Sequence, residues 1–321
     1  MKQRLLVILN LSLVSGCVIL GVSIISPILP QYALSFSIPV ALVGWAVSAF
    51  ALARVVTDIP AGILADRFGR KRTMIFGLVL IILSSIAAGT ASTYGWLIFA
   101  RIVGGVGSAL YMISATTWVA QITAGKSRGR YMSLYTGLVF AGVAFGPTIG
   151  GYTAAHFGLR TPFFAWGMLG LAGLIATLPL KEPADSSQGT QSKMRVKDIL
   201  SVFSNGPFML VNCAVLALFF LRAGVRSTLV PLYASLNLGL SPERIGILLT
   251  VAAVATAAAT FPSGWLSDRV GRKKAYYGLP VLEWYSRVID SIAGKLNRPY
   301  GHHGFLWSGH RSSRFHRRLA R

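Results

Sequence analysis

The sequence predicts an all-α integral membrane protein, a bundle of transmembrane helices, and three observations carry that expectation. The chain is 54% hydrophobic and only 12% charged, where soluble domains carry roughly a quarter charged residues. Eight apolar stretches each approach the length of about 20 helical residues that crosses ~30 Å of hydrocarbon. The loops between them alternate between cation-rich and cation-poor, the bias that separates cytoplasmic loops from the others.

Taken in order, the first stretch is 5–29. Lys2 and Arg4 ahead of it give the charge pattern of a secretory signal, but a signal core has only ~7–15 apolar residues and is not followed by further spans. It therefore reads as a membrane helix. The others are 40–64, 73–92, 95–118, 131–154, 162–180, 208–231 and 245–265. One set of loops collects Lys2 and Arg4; Arg67, Arg70, Lys71 and Arg72; Lys126, Arg128 and Arg130; Lys181, Lys193, Arg195 and Lys197; and Arg269, Arg272, Lys273 and Lys274. The opposite set holds only Arg160 and Arg244. A cytoplasmic N-terminus satisfies the charge rule for all eight spans.

This order divides the chain into a six-helix transmembrane bundle at 1–180, a cytoplasmic linker at 181–206, the start of a second bundle at 207–274 (spans 7 and 8) and a basic tail at 275–321. The linker stretch "KEPADSSQGTQSKMRVKD" is polar and poor in aromatics, as flexible connections are. Its continuation "VKDILSVF" is either a short interfacial helix or a solvated turn.

Composition also excludes several functions. The formal charge is +22, yet before residue 275 the cations stand in short clusters between apolar runs, without the basic groove and stacking aromatics of a nucleic-acid surface. Cys17 and Cys213 lie inside apolar runs with no partner at metal-ligand spacing, so neither a metal nor a disulfide is expected. No HExxH, GxSxG or phosphate-cradling glycine loop with its lysine occurs, which speaks against an enzyme or an ATP-driven pump and implies no cofactor. Energy for any transport is then left to an ion gradient.

The chain repeats itself. "PAGILADRFGRK" at 60–71 returns as "PSGWLSDRVGRK" at 262–273, so that Pro60, Gly62, Leu64, Asp66, Arg67, Gly69, Arg70 and Lys71 match Pro262, Gly264, Leu266, Asp268, Arg269, Gly271, Arg272 and Lys273. The first copy follows span 2 and the second follows span 8, so the repeating unit is six helices. Two such bundles with a substrate site between them is the plan of many secondary transporters. "GILADRFGRK" resembles the loop signature of the major facilitator superfamily. The resemblance implies a major-facilitator-type helical bundle with its N-terminal half complete and its C-terminal half reduced to about two helices. In that loop Asp66 stands at a tight glycine turn, and the cations after it are expected to hold the loop at the lipid headgroups. An acid there is also placed to attract a helix N-terminus and bias one conformation; a plain topogenic loop is the other reading.

Further motifs resemble the drug:proton antiporter branch of that superfamily. Span 1 ends in "LGVSIISPILP", with Gly21, Pro27 and Pro30, where lost backbone donors either serve a gate or simply terminate the helix. Span 4 carries "RIVGGVGSA", and a guanidinium inside a span is a functional candidate by default. Arg101 is thus assigned to proton or substrate coupling, with a structural pair as the alternative. Span 5 contains "GVAFGPTIGG", whose Gly142, Gly146, Gly150 and Gly151 are expected to form one smooth face where bundles slide, with Pro147 freeing a carbonyl. Arg54 and Asp58, four apart on span 2, are either an ion pair or a proton-carrying device. Arg222 and Arg226, near the middle of span 7, suit an anionic substrate or a structural role.

Residues 275–321 hold eight Lys or Arg, two acids and four of the five histidines, and no interval in them reaches the length of a span. The abrupt change after an intact loop motif suggests a reading-frame shift. A native truncated transporter and a lipid-binding basic tail are the other readings, "PVLEWYSRVIDSIAGKL" being able to lie on a membrane. The overall expectation is a proton-coupled exporter of small amphipathic molecules in a bacterial inner membrane, incomplete and unstable or inactive as this chain. Its partners are the lipid bilayer, a small-molecule substrate and protons. A sugar or metabolite carrier, or a non-transporting membrane remnant or assembly partner, are the alternatives.

Overall fold

The computed structural model describes residues 2–123, 128–180, 206, 209, 213 and 222–270. Among them every regular element is helical: α1 (Lys2–Ile25), α2 (Leu29–Leu34), α3 (Val43–Phe68), α4 (Arg70–Gly89), α5 (Tyr94–Ile122), α6 (Arg128–Phe157), α7 (Thr161–Thr177), a π-helical stretch (Arg222–Leu229), α8 (Val230–Leu236) and α9 (Pro242–Val270). Five helices within the described residues are long and apolar enough to cross a membrane: Leu5–Ile25, Val40–Phe68, Arg70–Gly89, Tyr94–Ile122 and Tyr131–Phe157. The sixth expected span, Thr161–Thr177, is apolar and 17 residues long, at the lower limit of about 17 for a crossing helix.

The first expected span ends sooner than 29. α1 stops at Ile25 and the chain restarts as α2 at Leu29, because Pro27 and Pro30 offer no backbone N–H to continue the ladder. Pro30 falls in the first turn of α2, where a missing donor costs nothing. Span 8 is longer than expected, since α9 begins at Pro242 and runs to Val270. Of span 7 the described part is chiefly the π-helical stretch, which contains both Arg222 and Arg226. The linker after Leu180 and everything beyond Val270, including the tail and Gly271, Arg272 and Lys273, lie outside the described residues.

The chain divides into two compact units, 1–258 and 259–321. Within the first, α1 packs chiefly on α6 and α7, α4 on α5 and α7, and α3 on α5. In the second, the described residues are the last turns of α9. Lipid tails are as apolar as leucine, so helices in a membrane are joined by close van der Waals contact rather than by a hydrophobic force. Small residues at the crossings permit it. A Cβ on Gly77 would lie 2.7 Å from the Gly107 carbonyl oxygen, and one on Gly107 would lie 2.7 Å from that of Gly77, which brings α4 and α5 backbone to backbone. Trp166 of α7, 1% exposed, is the largest piece of the centre. It lies against Gly21 of α1 and Gly104 of α5, with its ring edge-on to Phe50 of α3 at 6.0 Å.

Candidate functional site

The loop motif forms the turn between α3 and α4. Gly69 caps both helices with φ 90° and ψ 146°, a backbone region essentially closed to other residues. With that reversal, Arg70 becomes the first residue of α4 and its side chain points back into the bundle, as helical side chains lean toward the N-terminus. Arg70 is 2% exposed; it donates to Gln121 Oε1 near the end of α5 and lies 3.8 Å from the exposed carboxylate of Asp66. Lys71 Nζ donates to the Leu178 carbonyl at 2.6 Å, at the C-cap of α7. A cation there complements the orphan carbonyls and the negative end of the helix dipole. These two cations therefore staple the loop to helix ends, and the expected hold on lipid headgroups is left to the exposed Arg67 and Arg72. Arg67 itself lies over the Phe68 ring at 5.5 Å, and Gly62 has open space on its Cβ side. In the second copy of the motif, Gly264, Asp268 and Arg269 fall on the last turns of α9.

Arg101 is buried in α5 at 4% exposure. Its Nε donates to the Ala46 carbonyl of α3 at 3.1 Å, and its guanidinium lies 4.3 Å from the centre of the Phe50 ring. One donor, Nη1, has no hydrogen-bond partner. A buried guanidinium is costly unless paired, and here the observed compensation is one charge-assisted bond and a cation–π contact. The helices cross closely at this level, for a Cβ on Gly105 would lie 3.0 Å from that of Ala53 and 3.3 Å from the Arg54 nitrogen.

Arg54 and Asp58 are half-buried on α3. No salt bridge joins them among the described residues, and Asp58 Oδ1 is buried without a hydrogen-bond partner. Nor are Asp58 and Arg101 brought together. Arg101 is anchored at Ala46 and Phe50; at 1.5 Å per residue Asp58 lies about 12 Å further along α3 than Phe50.

The glycines of α6 do not form one face. Gly142, Gly146 and Gly150 all turn to α1, against Gly16 and Leu20, Ser23, and Ile24 respectively. Only Gly151 turns to α9, where it meets the Pro242 carbonyl, and Pro147 presents its carbonyl oxygen to Gly246. The reason is helical spacing, since positions four apart form a stripe and Gly151 belongs to the neighbouring stripe with Pro147. Between these contacts the N–H and hydroxyl of Thr148 both donate to Thr250 Oγ1, at 3.1 and 2.7 Å. Arg226 is half-buried and donates through Nη2 to the Leu249 carbonyl at 3.0 Å, which fits a structural role. The helical position of Arg222 is described without its side chain.

The profile of the Major Facilitator Superfamily matches residues 11–275. The chain belongs to the Major Facilitator Superfamily. Among its relatives, Multidrug resistance protein 2 of Bacillus subtilis (strain 168) is 28% identical over 263 residues, covering 79% of this chain and 65% of the relative. Quinolone resistance protein NorA of Staphylococcus aureus (strain MRSA252) is 27% identical over 252 residues, with coverages of 78% and 63%. The chain thus spans about two thirds of these relatives' length. The fold is shared with a bacterial homolog of the human lysosomal transporter Spinster, in its inward-facing and unoccupied conformation (TM-score 0.66, 18% identity, 84% of this chain and 64% of that one). A D-xylose-proton symporter shares it too (TM-score 0.61, 18% identity, 82% and 69%). Membership and the apolar helices together make this a multi-pass membrane protein.

For this Major Facilitator Superfamily chain, sequence reasoning missed the partners of the charged residues: Phe50 and Ala46 for Arg101, Gln121 for Arg70, and Leu178 for Lys71. Backbone carbonyls leave no mark in a sequence. Thr148 sits inside the quoted span-5 motif, so its hydroxyl was a findable signal. Tyr111 is another, a phenol of 0% exposure in α5 that accepts from Ser15 of α1 at 3.5 Å, while Tyr135 of α6 pairs with Thr116 at 2.8 Å.

Proposed function

We propose that the protein is a transporter that exports small amphipathic molecules by alternating access, driven by protons. The observation that carries this reading is the joint between the first bundle and α9. It is built from Gly151, Gly246, the Pro147 carbonyl and one threonine pair, so it offers small surfaces and few bonds to break, as a sliding contact needs. Two relatives with resistance names supply the substrate class. In this reading residues 1–180 and 207–274 belong to two bundles joined by a cytoplasmic linker, the N-terminus is cytoplasmic, and Arg101 couples conformation to charge. Its unpartnered Nη1 is the donor that a substrate anion, a carboxylate or water would take. Asp58, with a buried bare oxygen, is the proton carrier.

The test is dye uptake into everted membrane vesicles holding the full 321-residue chain, with a lipophilic cationic dye and a respiration-driven proton gradient. The expected result, which would overturn the expectation that this chain is inactive, is uptake that a protonophore abolishes and that Asp58→Asn and Arg101→Ala each reduce. Uptake unchanged by both substitutions would remove the coupling assignment. The alternative to this reading is a non-transporting assembly partner. It gains if the inserted chain moves no dye.

A further inference from the structure

The single hydrogen bond that Arg101 makes does not fix its guanidinium. A bond from Nε to the Ala46 carbonyl anchors one edge of the group, yet the plane can still turn about the N–H···O line. What fixes the plane is the Phe50 ring, which takes the cation on its face at 4.3 Å, the side where an aromatic ring attracts a charge. The plane in turn decides where the unpartnered Nη1 points. The question then becomes what holds the Phe50 ring, because the terminal torsion of phenylalanine is broad and only packing sets it.

Phe50 is buried, and its ring meets Trp166 of α7 at 6.0 Å with the planes 62° apart, an edge contact of the favoured kind. Trp166 has no freedom of its own. A Cβ on Gly21 of α1 would lie 2.6 Å from both Cγ and Nε1 of the indole, and one on Gly104 of α5 would lie 3.1 Å from its Cη2. The ring is thus wedged between two bare backbones, and Gly104 is one turn along α5 from Arg101. A buried indole N–H usually finds a partner, but Trp166 Nε1 has none among the described residues. Shape alone places this ring. Its length, which reaches from Gly21 to Gly104, is what a smaller apolar side chain would not supply.

The geometry points to Trp166 as the positioning residue for Arg101: through the Phe50 ring it sets the plane of the guanidinium, and with it the direction of the free Nη1. The consequence for transport rests on the reading of Arg101 as the coupling group; the placement of the guanidinium does not.

The experiment follows the Nε–H resonance of Arg101 in the full 321-residue chain, labelled with nitrogen-15 arginine and held in lipid nanodiscs. Burial and the bond to Ala46 protect this proton from exchange, and Arg101→Lys identifies its signal by deleting it. Phe50→Leu shifts the signal by removing the stack. Trp166→Leu is expected to move it most of the way to that position, and Gly21→Ala, which pushes the indole from the α1 side, to move it as well. In a Phe50→Leu background Trp166→Leu should leave it where it is. Trp118→Leu, an equally buried loss several turns further along α5, should leave it in place in the otherwise unaltered chain. The inference is overturned if Trp166→Leu and Gly21→Ala both leave the signal unmoved. It is equally overturned if Trp166→Leu shifts it as much without Phe50, a direct effect of the indole, or if Trp118→Leu shifts it as much, a general loosening. Dye uptake judges the coupling reading separately. Reduced uptake in Trp166→Leu, with no further loss when it is added to Phe50→Leu, supports both, whereas a moved signal with unchanged uptake removes the coupling reading and keeps the positioning.

Discussion

Replacing Gly150 by alanine tests whether α1 and α6 are held backbone to backbone. A Cβ at this position would lie 2.6 Å from the Ile24 carbonyl carbon and 2.9 Å from its Cα, where ordinary contact between carbons is ≈ 3.5–4.0 Å. The Ile24 carbonyl oxygen is nearer still, and the obstacle is backbone, not a side chain that can rotate away, so the helices must separate by more than about 1 Å to restore contact distance. Overpacking of this kind costs roughly 1–3 kcal/mol. Alanine also improves helix propensity by about 1 kcal/mol, which masks part of the loss. Gly62 supplies the control, because it lies in the interior of α3 with nothing within 4 Å. Gly62→Ala carries the propensity gain alone. The difference between the two variants therefore isolates the steric cost at about 1–3 kcal/mol. Unfolding in mixed micelles titrated with sodium dodecyl sulfate, followed by tryptophan fluorescence, reads it directly. Equal midpoints for Gly150→Ala and Gly62→Ala would refute the close packing of α1 on α6.

Three other expectations use the same unfolding assay. Thr148→Val and Thr250→Val should couple in a double-mutant cycle by about 0.6 kcal/mol, the average for hydrogen bonds between membrane helices; Thr250→Val should be the costlier single change, because its oxygen accepts two bonds. Gly69→Ala should destabilise by about 1–3 kcal/mol from its backbone angles alone, and an unchanged midpoint would mean that the turn is not held in that conformation. Arg101→Lys keeps the charge but loses the planar stack on Phe50 and the bond to Ala46, at an expected cost of about 2 kcal/mol. If lysine were tolerated without loss, the positive charge alone, and not the guanidinium geometry, would be the requirement.

Local chemistry decided much of this protein before any packing was known. Long apolar runs form helices in a membrane because each backbone donor and acceptor must be satisfied within its own segment. That is why the first six expected spans are all helical. The turn at Gly69 and the break at Pro27 were likewise legible, since glycine and proline act on their own backbone. Tertiary structure decided which surfaces meet. Four glycines of α6 look like one set in the sequence, yet three face α1 and only Gly151 faces α9, because a one-residue step turns a helix by about 100°. Arg70 and Lys71 were read as headgroup anchors, and the fold turned both inward onto Gln121 and the end of α7. Arg101 was singled out as a charge in a span, but its partners are a carbonyl at Ala46 and a ring at Phe50, some fifty positions away in the chain. Residue type and spacing thus determine that a group is costly or a backbone is bare; only the approach of another helix determines what satisfies it.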